Sequence, residues 1–302
     1  MEDDTGTVCS AVQRTIPRGN LNGQSEGSVS ALLFGVLAAL ANAATAILSK
    51  ALTARAPARQ LIGVLYAANA LVLLPFAPFV DWTWSGEIVV LHLLSVALMV
   101  VTAICVWDLF DAGAASATTT ATAMSPIPAA LAASLVLPGT ITPLQVVAAL
   151  VVVAGVLFAL SGAFGELGRW GSAWRVLGAA AGTGILTVLS RMLGDLDVGL
   201  VETYVTRTAL AAIVCIALFP PRDVARRDVP RLLGRSVVVT SYFVCVIVGA
   251  QAGSPVVVQT LVATTPLFVL AVEAFRARSL PPGRAVAAAA IVLAGVALTL
   301  VG

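Results

Sequence analysis

The sequence predicts an all-α integral membrane protein with ten transmembrane helices in two inverted five-helix repeats. Three observations support this fold class: an apolar composition, ten apolar windows of membrane-spanning length, and an internal repeat at constant spacing. Of the 302 residues, 59% are hydrophobic and 11% are charged, whereas soluble domains average about 45–50% apolar and about 25% charged residues. The mean hydropathy is +1.01. This composition excludes an ordinary soluble enzyme.

Charged and metal-binding residues are too few and too scattered for several classes of function. The 17 basic and 15 acidic residues give a net charge of +2, without the concentrated positive charge that nucleic-acid phosphates require. The single histidine, His92, and four widely separated cysteines form no metal-ligand pattern. We therefore expect no catalytic residues, no metal, no cofactor and no nucleic-acid partner.

Residues 1–28 form a polar segment, rich in Gly, Ser and Asn, that begins with Glu2, Asp3 and Asp4 after the initial methionine. A secretory signal has a basic region ahead of its apolar stretch, whereas the first charges here are acidic. We therefore predict a flexible tail before the first membrane helix, with no cleaved signal.

Ten apolar windows follow this tail, separated by short breaks rich in Pro, Gly or Arg. Each approaches the length of about 20 mostly apolar residues that a membrane-spanning helix needs. The windows are too long and continuous for barrel strands, which alternate over about 10 residues. They cover residues 30–49, 61–80, 88–107, 113–136, 143–162, 176–193, 199–219, 236–251, 254–275 and 285–301.

An internal repeat relates the end of the first half of the chain to the end of the second half at a spacing of 140 residues. At that spacing Pro126 aligns with Pro266 and Gly155 aligns with Gly295, without a gap to the end of the chain. Proline and glycine matches at one fixed spacing are harder to attribute to composition than matches between alanines or valines. The repeat therefore predicts two structurally equivalent halves.

A second internal similarity relates the ends of the first and sixth windows, residues 48–52 and 189–193. The chain is therefore predicted to contain two halves of five helices, residues 29–162 and 175–302. Because five is an odd number, the two halves must enter the membrane in opposite directions. Such an inverted repeat is the architecture that lets a central site open to either side of the membrane.

Short motifs in the two halves resemble those of a known family. The segments are Met124-Ser125-Pro126, Thr142-Pro143-Leu144-Gln145, Ala154-Gly155-Val156, Thr264-Thr265-Pro266-Leu267-Phe268 and Leu293-Ala294-Gly295-Val296. In these motifs the chain resembles the EamA-type, ten-helix members of the drug/metabolite transporter superfamily, over residues 30–302. The turn Leu-Gly-Glu that is common after the fourth and ninth helices of the family is absent, so the role of its glutamate is not transferred.

The repeat and the resemblance together predict a secondary transporter, a permease or exporter, that is not an enzyme. The cargo would be a small organic solute such as an amino acid, an amine or another metabolite, moved by alternating access. We expect a multi-pass protein of the cell inner (plasma) membrane whose partners are this solute and the lipid bilayer, with a homodimer as an option. Two alternatives stay open: a membrane-embedded enzyme and a non-transporting membrane scaffold.

The orientation in the membrane has two conflicting predictions. Most basic residues lie in the odd-numbered loops between helices, and the positive-inside rule would place those loops in the cytoplasm and both termini outside. The resemblance implies the reverse, with both termini inside. Labelling from outside of a cysteine introduced within residues 222–235 distinguishes the two orientations.

Arg207, in the seventh window, is the first candidate for contact with the solute. Ionisable groups at membrane depth cost about 2.5–3.5 kcal/mol each on insertion scales, so each suggests a function. Arg207 is predicted to bind a carboxylate or another anion, with Tyr204 as a second contact and Glu202 as a candidate for coupling. The alternative for Arg207 is a side chain that extends to the lipid headgroups.

The ninth and fourth windows add further candidates. Gln259, Pro266 and Glu273 are spaced by seven residues, which places them on one face of the ninth helix. Pro266 frees a backbone carbonyl there, and unwound backbone of this kind recurs in transporter sites. Gln259 is predicted to line a cavity, whereas Glu273 is either a coupling carboxylate or half of a surface ion pair with Arg276. Thr119 corresponds to Gln259 at the spacing of 140 and lies in a hydroxyl-rich window whose members are Ser116, Thr118, Thr119, Thr120, Thr122 and Ser125.

Two amides and one acidic joint complete the candidates. Asn42 and Asn69, in the first and second windows, need partners that either helix packing or a ligand can supply. Trp107, Asp108 and Asp111, between the third and fourth windows, form either an acidic interface or a gate. The predicted substrate-binding residues are therefore Asn42, Asn69, Thr119, Tyr204, Arg207 and Gln259, with Glu202 and Glu273 as candidates for coupling.

Overall fold

In a computed structural model, the protein consists of α-helices throughout the residues that the structure describes. These residues are 24–53, 56–112, 115–137, 139, 141–160, 170–222, 224–276, 278 and 283–301, and no strand occurs among them. The α-helices are α1 Gln24–Thr53, α2 Ala58–Leu73, α3 Gly86–Ala112, α4 Ala115–Ala123, α5 Pro126–Val136, α6 Pro143–Leu160, α7 Trp170–Asp195, α8 Leu200–Leu218, α9 Val229–Ala252, α10 Pro255–Val262, α11 Thr265–Arg276 and α12 Gly283–Val301. Short 3₁₀ helices lie at Leu74–Phe79 and Arg226–Asp228.

Among the described residues, seven helical segments are long and apolar enough to cross a membrane. They are Ser30–Thr53, Ala58–Phe79, Gly86–Asp111, Ala173–Asp195, Leu200–Leu218, Val229–Ala252 and Pro255–Arg276. Three shorter apolar helices, Ala121–Val136, Pro143–Phe158 and Val286–Leu298, coincide with the other three predicted windows. The all-helical membrane class is therefore confirmed, and the count of ten spans stays a prediction.

The helical bundle is apolar outside and has polar side chains inside. Leu135 and Phe275 are 83% and 85% exposed, whereas Gln259 and Glu202 are fully buried. Exposed leucine and valine side chains occur in both halves of the chain. Hydrocarbon solvates such a surface, while polar groups at that depth must find partners inside the protein. This distribution is the one expected of a multi-pass membrane protein.

Two predicted spans are broken at equivalent positions. The fourth span breaks at Met124 and Ser125 between α4 and α5, and the ninth breaks at Ala263 and Thr264 between α10 and α11. A proline follows each break and has no backbone N–H to continue the helical hydrogen bonds. The break beside Pro266 agrees with the freed carbonyl expected there, whereas Gln259 and Glu273, which were expected on one face of one helix, lie on the separate helices α10 and α11.

The packing of the helices follows the repeat. Helix α1 packs on α9, α3 on α7, α2 on α8, and α6 on α12. In terms of the ten predicted spans, these pairs are the first with the eighth, the third with the sixth, the second with the seventh, and the fifth with the tenth. Exchanging the two halves leaves this set of pairs unchanged, which is the relation expected of an inverted repeat.

Three predicted boundaries differ from the structure. Helix α1 begins at Gln24, inside the predicted tail, whose residues 1–23 lie outside the described residues. Helix α7 begins at Trp170 rather than residue 176. Helix α9 begins at Val229 rather than residue 236, so Arg235 is a buried helical residue and not a loop cation. The predicted eighth window began too late because arginine is rare at membrane depth, so the charge of Arg235 indicated a loop.

The contact between α6 and α12 depends on a glycine in each helix. A Cβ atom on Gly295 would lie 2.7 Å from Val152 Cγ2 and 3.0 Å from the Val152 backbone nitrogen. A Cβ on Gly155, its mate in the repeat, would lie 2.9 Å from Val292 Cγ2. Small residues let membrane helices approach closely, which explains why the glycines recur in both halves.

We expect Gly295→Ala to lower the free energy of unfolding by about 1–3 kcal/mol, because the added methyl overpacks a contact with backbone atoms. Gly234→Ala is the matched control, since nothing lies within 4 Å of its Cβ position and helix propensity alone favours alanine by about 1 kcal/mol. Thermal unfolding in detergent measures both variants. Equal midpoints for the two would contradict the close packing of α6 on α12.

Candidate functional site

A cavity of about 160 Å³ lies between the two halves of the protein. Helices α1, α2, α3 and α4 of the first half line it together with α7, α8 and α9 of the second half. Its wall combines hydroxyl, amide and guanidinium groups with aromatic rings and aliphatic side chains. Ligand sites typically have this composition, with a few polar groups on a largely apolar wall.

Five of the six predicted substrate-binding residues line this cavity. They are Asn42, Asn69, Thr119, Tyr204 and Arg207. The sixth, Gln259, is fully buried and is not among the residues that line the cavity. It donates a hydrogen bond to Thr187, which does line the cavity. The residues that the repeat and the polarity pattern selected are therefore gathered in one region, although their contact with a solute stays a prediction.

Arg207 projects from α8 and is only 4% exposed. Its Nη1 donates a hydrogen bond to Ser190 Oγ on α7 at 2.7 Å. Its Nε and Nη2 have no hydrogen-bond partner among the described residues. The alternative in which Arg207 extends to the headgroups was wrong, because the side chain is enclosed by the bundle and faces the cavity.

Arg235 is a second buried cation on the cavity wall, and the sequence analysis missed it. It is 8% exposed, its Nε donates to Ser49 Oγ at 2.8 Å, and its guanidinium lies 5.1 Å from the centre of the Trp107 ring. Such a stacked guanidinium gains a cation–π interaction. The available signal was Leu232, one helical turn earlier, which is buried and extends the apolar pattern of α9 toward its beginning.

Hydrogen bonds connect the break in the fourth span to the second half of the protein. Ser125 Oγ donates to Gln259 Oε1 at 2.6 Å, and Gln259 Nε2 donates to Thr187 Oγ1 on α7. Gln259 therefore joins the broken fourth span to α10 and to α7. This role was not predicted, because the sequence does not show that Thr187 faces Gln259.

The break in the ninth span has a corresponding connection to the first half. Asn42 Nδ2 on α1 donates to Thr265 Oγ1 at 3.2 Å. Thr265 is the mate of Ser125 at the spacing of 140 residues. Each break is thus attached through a hydroxyl to the opposite half of the protein.

Neither candidate coupling residue is found on the cavity wall: Glu202 does not line the cavity, and the side chain of Glu273 lies outside the described residues. Glu202 is fully buried at the beginning of α8, and both of its carboxylate oxygens lie 3.2 Å from the backbone nitrogen of Thr83, which donates to them. Glu273 lies in α11, and its side chain is outside the described residues, as are those of Ser116 and Thr120. Coupling by either glutamate stays a prediction.

Asp108 forms an ion-pair cluster at one end of the bundle. Arg59 on α2 donates to it through Nε at 3.0 Å and through Nη2 at 2.9 Å. Arg175 Nε on α7 lies 3.4 Å from Asp108 Oδ2. The cluster joins the first half, through α2 and α3, to the second half, through α7. Trp107 and Phe110, beside Asp108, line the cavity, so the cluster is next to one end of it.

We expect Ser125→Ala to lower the free energy of unfolding by about 1–3 kcal/mol, because it leaves the buried Gln259 carbonyl without its donor. Ser134→Ala is the matched control, since Ser134 is exposed and bonds only to the Leu131 carbonyl of its own helix; we expect a change within about 0.5 kcal/mol. Thermal unfolding of both purified variants gives the comparison. If Ser134→Ala were as damaging as Ser125→Ala, the bridge through Gln259 would not be stabilising.

Comparison with known proteins agrees with this architecture. A solved structure described only as "Crystal structure of protein" matches with a TM-score of 0.73 at 20% identity, covering 90% of this chain and 97% of that chain; this likeness shows the fold alone. A search of curated protein sequences finds no match. The model of the EamA-like transporter family matches residues 29–161 and 170–301. The two matches cover nearly the whole chain as two successive repeats, so the chain belongs to the EamA-like transporter family.

Proposed function

We propose that the protein is a secondary transporter that moves a small organic solute across the cell inner (plasma) membrane by alternating access. The observation that supports this most directly is the cavity, whose wall is formed by helices of both halves. A site shared by two inverted halves faces either side of the membrane when one half rocks against the other. A membrane-embedded enzyme or a scaffold does not need that shared wall.

The proposal includes ten membrane spans. Helices α4 and α5 together form the fourth span, α10 and α11 form the ninth, and α6 and α12 are the fifth and tenth. The pairing of α6 with α12 and of each other helix with its counterpart supports five spans in each half. Five spans per half give the halves opposite directions in the bilayer, as alternating access requires.

Two connections between the halves support a gate at each end of the bundle. At one end Asp108 pairs with Arg175, near the beginning of α7. Helix α7 then runs to the other end of the bundle, where α8 begins. There the Thr83 backbone N–H donates to Glu202. Since the two contacts lie at opposite ends, breaking one while keeping the other opens the cavity toward one side only.

The transport test uses the purified protein in liposomes, with uptake or counterflow of radiolabelled solutes that are anionic, neutral or cationic. The proposal expects saturable movement of at least one class, above liposomes without protein. It fails if no amino acid, amine, sugar or other organic solute moves in any ion gradient. The same liposomes are assayed for products of hydrolysis or group transfer, whose formation would instead favour the membrane-embedded enzyme.

We expect Asp108→Asn to change the transport rate by about twofold to fivefold, because an ion pair with a half-exposed partner contributes about 0.2–1 kcal/mol. Asp195→Asn is the matched control, since Asp195 is 45% exposed and pairs with Arg191 one turn earlier in its own helix. Initial rates in liposomes that contain equal amounts of folded protein test this. Equal rates in the wild type and both variants would contradict a gate at Asp108.

A further inference from the structure

We infer that the solute carries a carboxylate, and that Arg207 binds this carboxylate side-on through its Nε and Nη2. This inference deepens the proposed function and depends on it only for the movement of the bound solute across the membrane. It follows from three features of the cavity: the two donors of Arg207 that have no partner, the excess of positive charge on the wall, and the apolar surface around it.

The donors of Arg207 have a definite geometry. Nη1 is occupied by Ser190 Oγ, while Nε and Nη2 have no hydrogen-bond partner in the described part of the chain. Nε and Nη2 lie on the same edge of the planar guanidinium, and their N–H bonds point in nearly the same direction. Two parallel donors match the two oxygens of a carboxylate, which is the strongest pairing available to arginine.

The same edge of another arginine binds a carboxylate elsewhere in this protein. Arg59 uses its Nε and Nη2 to donate to the two oxygens of Asp108 at 3.0 and 2.9 Å. Arg207 lines the cavity and has the same pair of donors buried without a partner in the described part of the chain. It is 4% exposed, whereas the Arg59 side chain is 52% exposed. A buried, partly unsatisfied guanidinium costs free energy, and a bound carboxylate would recover that cost.

The charges on the cavity wall favour an anion. Arg207 and Arg235 both line the cavity, and neither aspartate nor glutamate is among the described residues that line it. The ion pairs found within the described ranges involve other arginines: Arg59, Arg175, Arg191 and Arg231. Since arginine does not lose its proton, the wall has a formal charge of +2, which attracts an organic anion and repels a cation.

The rest of the wall suits an apolar body. The aromatic residues that line the cavity are Tyr66, Trp107, Phe110, Tyr204, Tyr242 and Phe243. Their rings bury a hydrocarbon or aromatic group, while the carboxylate sets its orientation at Arg207. The wall also contains Asn69, whose Oδ1 has no partner among the described residues and can accept a hydrogen bond from the solute.

Binding to the purified full chain in detergent tests the inference without transport. The probes are benzoate, phenylacetate and 3-phenylpropanoate, each paired with its primary amide, and benzylammonium as the cation. We expect at least one carboxylate to raise the unfolding midpoint progressively as its concentration increases, and the matching amide and the cation to have little effect. The inference is overturned if no carboxylate raises the midpoint, or if amide and carboxylate act equally.

Three variants assign the binding to Arg207. The active carboxylate is the one that raises the unfolding midpoint of the wild type. We expect Arg207→Gln to lower the affinity for it by about tenfold or more, since charged hydrogen bonds are lost. Arg207→Lys keeps the charge but not the paired donors, so we expect clear weakening there too. Arg227→Gln removes a charge from an exposed position and should bind as the wild type does. Wild-type affinity in Arg207→Lys overturns the side-on contact, and that variant also serves if Arg207→Gln does not fold.

Two additional measurements distinguish a carboxylate from other oxyanions, and binding from transport. Benzenesulfonate and phenylphosphonate test for other oxyanions, and tighter binding of either than of every carboxylate overturns the carboxylate assignment. Uptake of the active carboxylate into proteoliposomes separates the two proposals. Binding without uptake supports the carboxylate site and contradicts the transporter. Uptake of a neutral or cationic solute while no carboxylate binds supports the transporter and contradicts the carboxylate site.

Discussion

The architecture depends on one constraint: lipid hydrocarbon cannot satisfy a polar group, so every polar side chain at membrane depth must find a partner inside the protein. In this chain those side chains meet where the two halves face each other. Ser125 bonds to Gln259 across the interface, and Gln259 continues to Thr187 within the second half. Asn42 and Thr265 also bond across the interface. The same interface contains the cavity, because polar groups cluster there and leave space between helices that the aromatic side chains do not fill.

Two arginines show how position decides the use of the same functional group. Arg59 lies at one end of the bundle and binds Asp108 within the first half, and Arg175 of the second half pairs with the same carboxylate. Arg207 lies inside on the cavity wall, where Nη1 donates to Ser190 while Nε and Nη2 have no partner among the described residues. A carboxylate of the protein itself neutralises the first arginine, whereas the second adds positive charge to the cavity wall.

Much of this could be predicted from the sequence. Composition and window length indicate membrane helices, and the matched prolines and glycines indicate the repeat, because backbone breaks and close contacts restrict residue type directly. Arg207 and Asn42 were found because polar residues in apolar windows are rare. Arg235 was missed because a charge near the end of a window looks like a loop residue, and the role of Gln259 was missed because cross-helix partners depend on packing that local patterns do not encode.

Distances between spin labels at the two ends of the bundle, measured in nanodiscs, show whether the two halves open a shared cavity to one side at a time. One pair, at Ala51 and Trp174, reports on the end near Asp108, and another, at Trp84 and Asp195, reports on the opposite end; all four positions are exposed. If the two halves open alternately, two populations are expected, in each of which one distance is long and the other is short. A bound solute should change the ratio of the two populations. A single population, or two distances that lengthen and shorten together, would contradict two halves that open a shared cavity alternately.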